Sequence, residues 1–353
     1  MKRRFYVGSN CGDAKAGLRV FEINSDTGMI RQLGQVDDAV NPIFLAASAN
    51  GKFLYAAQQV APGAEGWTGG VAVYAVKGVN LEKLAEYPCA PTVPCHLSLS
   101  HSGRQLVWAE YRNAWTGVFS VGRDGLLGGP QARIQHQGHG PNPARQEAAH
   151  CHCAVTTPDD GCICVCDLGL DQVVVYDAEV KDGALHRVEG AGFQSVPGAG
   201  PRHLVFHPAA DLAFLVTELD STVVSLRHRG GGALEAIGTY TMLPGGYAGE
   251  TKAAAIKISP DGRWVLASNR GHDSVAAYSL DAATGRLELK AISKLGGVFP
   301  RDFEFTPDGK FIVVGHKLSN EVAVYAFDGA AGELKQTANT IPMIKPLCFV
   351  FAR

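Results

Sequence analysis

The chain has 353 residues, 46% of them hydrophobic, enough to bury a large core. Its net charge is −2 with 19% charged residues, which excludes both a basic surface for nucleic acid and an acidic tail. No run approaches the roughly 18 apolar residues of a membrane span, so no membrane partner is expected.

The opening Met-Lys-Arg-Arg-Phe-Tyr-Val-Gly enters a short strand-like run without the apolar stretch and cleavage site of a secretion signal. The nine cysteines are odd in number, and five crowd into Cys151–Cys166. A secreted disulfide framework would be even and more dispersed. Reduced thiols in a cytoplasmic protein are expected.

A short apolar run closed by a Pro-Asp-Gly-like turn recurs along the chain. The first three copies read Pro42-Ile-Phe-Leu-Ala-Ala-Ser-Ala-Asn-Gly51, Pro94-Cys-His-Leu-Ser-Leu-Ser-His-Ser-Gly103 and Cys151-His-Cys-Ala-Val-Thr-Thr-Pro158. Pro201-Arg-His-Leu-Val-Phe-His-Pro208 and Ala253-Ala-Ala-Ile-Lys-Ile-Ser-Pro260 follow. Pro300-Arg-Asp-Phe-Glu-Phe-Thr-Pro307 and Pro346-Leu-Cys-Phe-Val-Phe-Ala352 complete the set. Their second residues stand at 43, 95, 152, 202, 254, 301 and 347, a period of about 51 residues. That is the size of one four-stranded propeller blade.

Each full copy carries four strand-like runs; in the fourth they are Leu204–Phe206, Ala213–Thr217, Thr222–Arg227 and Leu234–Thr241. Helical periodicity is nowhere sustained. The seventh copy has one run, and the N-terminus supplies the rest in Phe5–Ser9, Leu18–Ile23 and Ile30–Val36. The expectation is an all-β, seven-bladed β-propeller of four-stranded antiparallel blades, a single domain over 1–353 closed by pairing N- and C-terminal strands. Three connections run long, Gln59–Gly70, Gln131–Ala149 and Met242–Lys252, and the second is given an active-site role as a rim or lid.

The first strand of each blade lines the channel, and its start lies beside the end of the antiparallel second strand. First-strand starts place His152, Arg202 and Arg301 at one mouth, with Ile43, Cys95, Ala254 and Leu347 in the other copies. Second-strand ends add Glu110, Asp167, Glu218, Asn269-Arg270 and His316-Lys317. Arginines at such a mouth suit phosphate or carboxylate, which their planar forks grip in pairs. His152 and Glu218 are the candidates for proton transfer. Polar residues at blade mouths also cap strand ends, but clustered like charges call for a ligand or counter-charges.

Cys151-His-Cys153 and Cys162-x-Cys164-x-Cys166 raise the question of a metal. Cys-x-Cys on a flat strand splays its ligands, unlike the two-to-four-residue knuckle of structural zinc sites. Buried thiols acting as small hydrophobes are expected, with no metal and no cofactor. His139, His186, His207, His228 and His272 fall in turns or loops, where solvated side chains are expected. A nucleophile elbow, a phosphate loop and a dinucleotide fingerprint are absent.

Over nearly its whole length the chain resembles the lactonase family of seven-bladed propellers. That family includes the cytoplasmic bacterial 6-phosphogluconolactonase and the fungal 3-carboxy-cis,cis-muconate cyclase. The resemblance rests on Gly198-Ala-Gly-Pro-Arg-His203, Thr217-Glu218-Leu219, Ser268-Asn-Arg270-Gly, Phe299-Pro-Arg301 and His152 before Cys-Ala-Val-Thr-Thr-Pro158. Arg145-Gln-Glu147-Ala-Ala-His150 and Asp167-Leu-Gly-Leu-Asp171 add to it. It implies His152, Glu218, Arg202 and Arg270 as the catalytic set and Arg301, His150, Arg145, Asn269 and Asp167 as substrate-binding residues. Ala255 and Lys317 depart from what the resemblance implies at those positions.

The function expected is metal-independent hydrolysis of an anionic sugar lactone, 6-phosphogluconolactone first, by a hydrolase of carbohydrate metabolism in the pentose phosphate pathway. A muconate-type cycloisomerase is the alternative, and a non-catalytic binding platform the third reading. The oligomeric state, and whether His152 or Glu218 is the base, stay open at this point.

Overall fold

A computed structural model describes residues 1–12 and 17–352, the side chains of Pro130 and Gln131 excepted. Each repeat forms one four-stranded antiparallel sheet. Blade 1 comprises Val40–Ala47, Phe53–Gln59, Gly69–Lys77 and Asn80–Ala90; blade 2 comprises His96–Leu99, Gln105–Glu110, Trp115–Val121 and Leu127–Gln135. Blade 3 is Cys151–Thr156, Cys162–Asp167, Gln172–Asp177 and Phe193–Gln194. Blade 4 is Pro201–Phe206, Leu212–Thr217, Thr222–His228 and Leu234–Thr241. Blade 5 is Lys252–Ile258, Trp264–Arg270, Ser274–Asp281 and Arg286–Lys294; blade 6 is Pro300–Phe305, Phe311–His316, Glu321–Phe327 and Leu334–Pro342.

Blade 7 joins the two ends of the chain. Pro346–Phe351 pairs with Lys2–Ser9, which pairs with Leu18–Asn24 and then Ile30–Val36. The expected seven-bladed propeller of four-stranded blades is what the chain forms.

Seven apolar clusters hold the ring among the described residues, one at each blade–blade interface. A blade is therefore covered on both faces. This explains why second strands such as Leu212–Thr217 are buried throughout instead of alternating. The outermost strands have one face in water, and Leu334–Pro342 alternates accordingly. Cys153, Cys162, Cys164 and Cys166 lie in the cluster between blades 3 and 4, packed with Leu204, Leu215 and Leu226. They act there as small hydrophobes, their thiols outside any disulfide. Among the described residues no helix is long and apolar enough to cross a membrane.

A candidate active site at one mouth of the channel

The first strands carry a feature the repeat alone does not reveal. In blade 3 Cys151 pairs with Asp167 and Cys153 with Cys166, so His152 has no ladder partner. The same register slip falls between Pro201 and His203 in blade 4 and between Pro300 and Asp302 in blade 6. The residues left over are Arg202 and Arg301. A bulge inserts one residue and re-aims its side chain, and bulges collect beside active sites. The same slip leaves Leu347 over in blade 7, so four of the residues expected to face the axis are freed this way, three of them polar.

A cavity of about 440 Å³ opens at this mouth, lined by His152, Glu218, Arg145, Arg270, Arg301 and Tyr111 together with Ile43, Cys95 and Glu110. Four of the seven repeat positions, 43, 95, 152 and 301, thus contribute to one wall. Arg202 lies deeper, 1% exposed, behind Glu218.

Glu218 organises the mouth. Arg202 Nε donates to its Oε2 at 2.9 Å and Arg145 Nη2 to its Oε1 at 2.5 Å, while Arg270 Nη2 forms an ion pair with Oε2 at 2.7 Å. Burial alone would push the Glu218 carboxyl up. Arg270, Arg202, His152 and the Arg145 hydrogen bond overcome that and hold it well below the usual carboxylate range. Arg202 bears the reverse pressure: burial, then Arg301 and Arg270, act against its charge, and Glu218 offsets them. A guanidinium stays charged under such conditions. The arginines converge on one carboxylate, so the mouth keeps a cationic surplus after pairing.

His152 Nε2 lies 3.9 Å from Glu218 Oε2. Burial, with Arg202 and Arg301, keeps its imidazole well below the ordinary 6.5, although Glu218 pulls the other way. His152 is neutral at pH 7. Its ring meets Tyr111 and His203 edge-on, at centroid distances of 5.3 and 5.4 Å. Tyr111 in turn stacks on His150 at 4.3 Å and hydrogen-bonds Arg145.

Four buried histidines have depressed pKa values, each with burial as the leading cause: His152, His203, His272 and His316, the last at about 4. Below pH 6.5 the unfolded chain takes up protons there that the folded chain refuses, so stability falls with pH. His152, His203 and His316 each contribute up to about 1.4 kcal/mol per pH unit. Asp302, whose carboxyl burial raises, acts with the opposite sign and blunts the slope. The melting temperature is expected to drop between pH 7 and pH 5, before Glu218 can contribute. A flat profile over that window would contradict the burial of these rings.

Several expected site residues sit elsewhere. Asp167 does not line the cavity. It is fully buried, accepting from the backbone N–H of His150 at 2.8 Å and of Leu170 at 3.1 Å, with His136 Nδ1 at 2.7 Å. Asn269 is likewise buried, donating to Ser221 Oγ and accepting from Thr251 Oγ1. His150 does not line the cavity either and reaches it through the Tyr111 stack. Asp167 is absorbed by closing its turn, and Asn269 by the Ser221 and Thr251 hydroxyls. His207 and His272, expected in solvent, are buried against Gly262 O and Ser274 Oγ.

The second long connection runs over residues 136–150 and does reach the site, because Arg145 projects from it to Glu218. Among the described residues, one group has metal-ligand atoms within 4.8 Å of one another: His136, Cys151 and Asp167. His136 already bonds Asp167 through Nδ1 and the Tyr176 hydroxyl through Nε2, and none of the three lines the cavity. The group is a buried hydrogen-bond chain.

A closed seven-bladed ring with an arginine–carboxylate–histidine cluster in one channel mouth is the site of a β-propeller enzyme. Residues 4–351 match the family described as Lactonase, 7-bladed beta-propeller, and the chain belongs to that family. The 6-phosphogluconolactonase of Bacillus subtilis is 32% identical over 303 residues, 85% of this chain and 84% of the relative. The 6-phosphogluconolactonase of Formosa agariphila is 27% identical over 81% of each chain. The structure of the Pseudomonas aeruginosa periplasmic gluconolactonase superposes with a TM-score of 0.92 at 28% identity, covering 100% of this chain and 99% of that one.

Proposed function

We propose that the chain hydrolyses 6-phosphogluconolactone to 6-phosphogluconate without a metal ion, in the cytoplasm, as a step of the pentose phosphate pathway. One observation carries the reading. A neutral His152 lies beside an ionised, arginine-clamped Glu218 in a cavity whose arginines outnumber its carboxylates. Two relatives named 6-phosphogluconolactonase support the substrate.

His152 takes the proton of a water as the water oxygen attacks the lactone carbonyl carbon. The carbonyl π pair moves to oxygen, and the oxyanion is met by Arg145 and Arg270, whose charge is already in place. The ring C–O bond then breaks, and the imidazolium returns its proton to the leaving alkoxide. Glu218, too acidic to be the base, orients the arginines and stabilises the imidazolium. Such a base contributes about 10²–10⁴-fold and an oxyanion donor about 10²–10³-fold.

The test is acid release from 6-phosphogluconolactone by the purified chain, with and without a chelator, next to turnover of a carboxymuconate. Chelator-insensitive lactone hydrolysis is expected. Muconate turnover without lactone turnover would overturn the reading.

A further inference from the structure

We infer that the phosphate of the substrate is held on the blade 6 wall by Arg301 and Lys317, with the Phe299 ring standing between Lys317 and Arg270. The inference rests on the lactonase reading and adds to it the position of the distal anion.

Arg145 and Arg270 are paired with Glu218 and turned to the oxyanion, and Arg202 is buried behind Glu218. Arg301, freed from the strand ladder by its bulge and lining the cavity, has neither an ion-pair nor a hydrogen-bond partner among the described residues. Lys317 follows the end of the second strand of the same blade. It does not itself line the cavity; it is half-buried, and its side chain meets no carboxylate among the described residues. Its Nζ stands 5.4 Å from the Phe299 ring centroid, while Arg270 Cζ stands 5.3 Å from the same ring.

Phe299 holds φ at +66°, a strained value for an aromatic residue. Its N–H donates to Asp273 Oδ1 at 2.9 Å, and its carbonyl accepts from the Lys317 N–H at 3.0 Å. The loop is thereby locked, and Lys317 is tied to it. Burial, then Arg301, Lys345 and Arg270, push the Lys317 pKa down, so these cations feel one another. Desolvated like charges without a counter-charge favour an anion, and most of all one with nearly two charges. A phosphate monoester at pH 7 is such a group. A lactone without phosphate gains nothing from the pair.

The test compares kcat/KM for 6-phosphogluconolactone and for gluconolactone in the wild type, Lys317→Gln, Arg301→Gln and Lys317→Arg. The wild type is expected to prefer the phosphorylated lactone. The preference should fall about 10- to 100-fold in each Gln variant and recover in Lys317→Arg. A wild-type preference that survives both Gln changes overturns this inference and leaves the lactonase reading standing. If the wild type hydrolyses neither lactone, the lactonase reading falls, and calorimetric titration with inorganic phosphate decides the subsite. Binding weakened by both Gln changes supports it; no binding, or binding unaltered by them, overturns it. Melting temperatures of all variants confirm that the ring stays closed.

Discussion

Glu218→Gln is expected to abolish turnover and to cost about 3–5 kcal/mol of stability, the range for stripping one partner from a buried ion network. The amide keeps the shape of the side chain but removes the charge that three guanidiniums share. Arg202, 1% exposed, would then face Arg270 and Arg301 with no compensation, and its backbone acceptor, Ala254 O, carries no charge. The Glu218→Gln/Arg202→Met pair should be destabilised by clearly less than the sum of its single changes, since the first change already strands the charge that the second removes. The variant should bind inorganic phosphate at least as tightly as the wild type, because the mouth becomes more cationic. Unaltered thermal stability in Glu218→Gln would mean that the carboxylate is not the keystone of the cluster. Turnover within about tenfold of wild type would remove it from the chemistry altogether.

The blade order was legible because a propeller imposes its period on the sequence. Every blade needs one strand on the channel, one turn at its foot and one more strand behind it. The meeting of Arg202 with Glu218 was legible for the same reason, since an antiparallel hairpin brings Pro201 opposite Thr217 and so sets the start of the first strand beside the end of the second, with Arg202 and Glu218 each one residue from that pair. Arg145 is different. It reaches Glu218 across 73 residues from the connection over 136–150, and no strand register fixes where a connection sends a side chain. Motif resemblance alone pointed to it.

The bulges also left no period in the sequence. A slip of one residue in the ladder changes the aim of His152, Arg202 and Arg301 without altering the spacing between repeats. Asp167 ends its apolar second strand opposite Cys151, where blade 4 has Thr217 opposite Pro201, and closes its turn by accepting two backbone N–H groups, while Glu218, one residue further on, faces the arginines. A carboxylate one residue nearer the strand finds free amides before it finds the mouth. The run Leu318–Asn320 after Lys317 gave no hint that Phe299, eighteen positions earlier, would set its ring against both the Lys317 and the Arg270 cations.

His152→Gln separates the proton-transfer role from the packing role. The amide is neutral, as His152 is at pH 7, so the clamp on Glu218 keeps its charge balance and the melting temperature at neutral pH should change little. The value of kcat for the lactone is expected to drop about 10²–10⁴-fold, the usual contribution of a positioned base, with KM nearly unmoved because Arg301 and Lys317 still hold the substrate. The pH profile supplies a second readout. With burial, Arg202 and Arg301 holding the imidazole low, the acid limb of kcat/KM in the wild type should lie below pH 6.5 and vanish in the variant. A variant that hydrolyses the lactone within tenfold of wild type, with the same acid limb, would transfer the base to another group. Glu218 is a poor candidate, since Arg145, Arg202 and Arg270 occupy both of its oxygens. Attack would then have to proceed without a protein base, on oxyanion stabilisation by the arginines alone. That outcome would be visible as a kcat that follows hydroxide concentration.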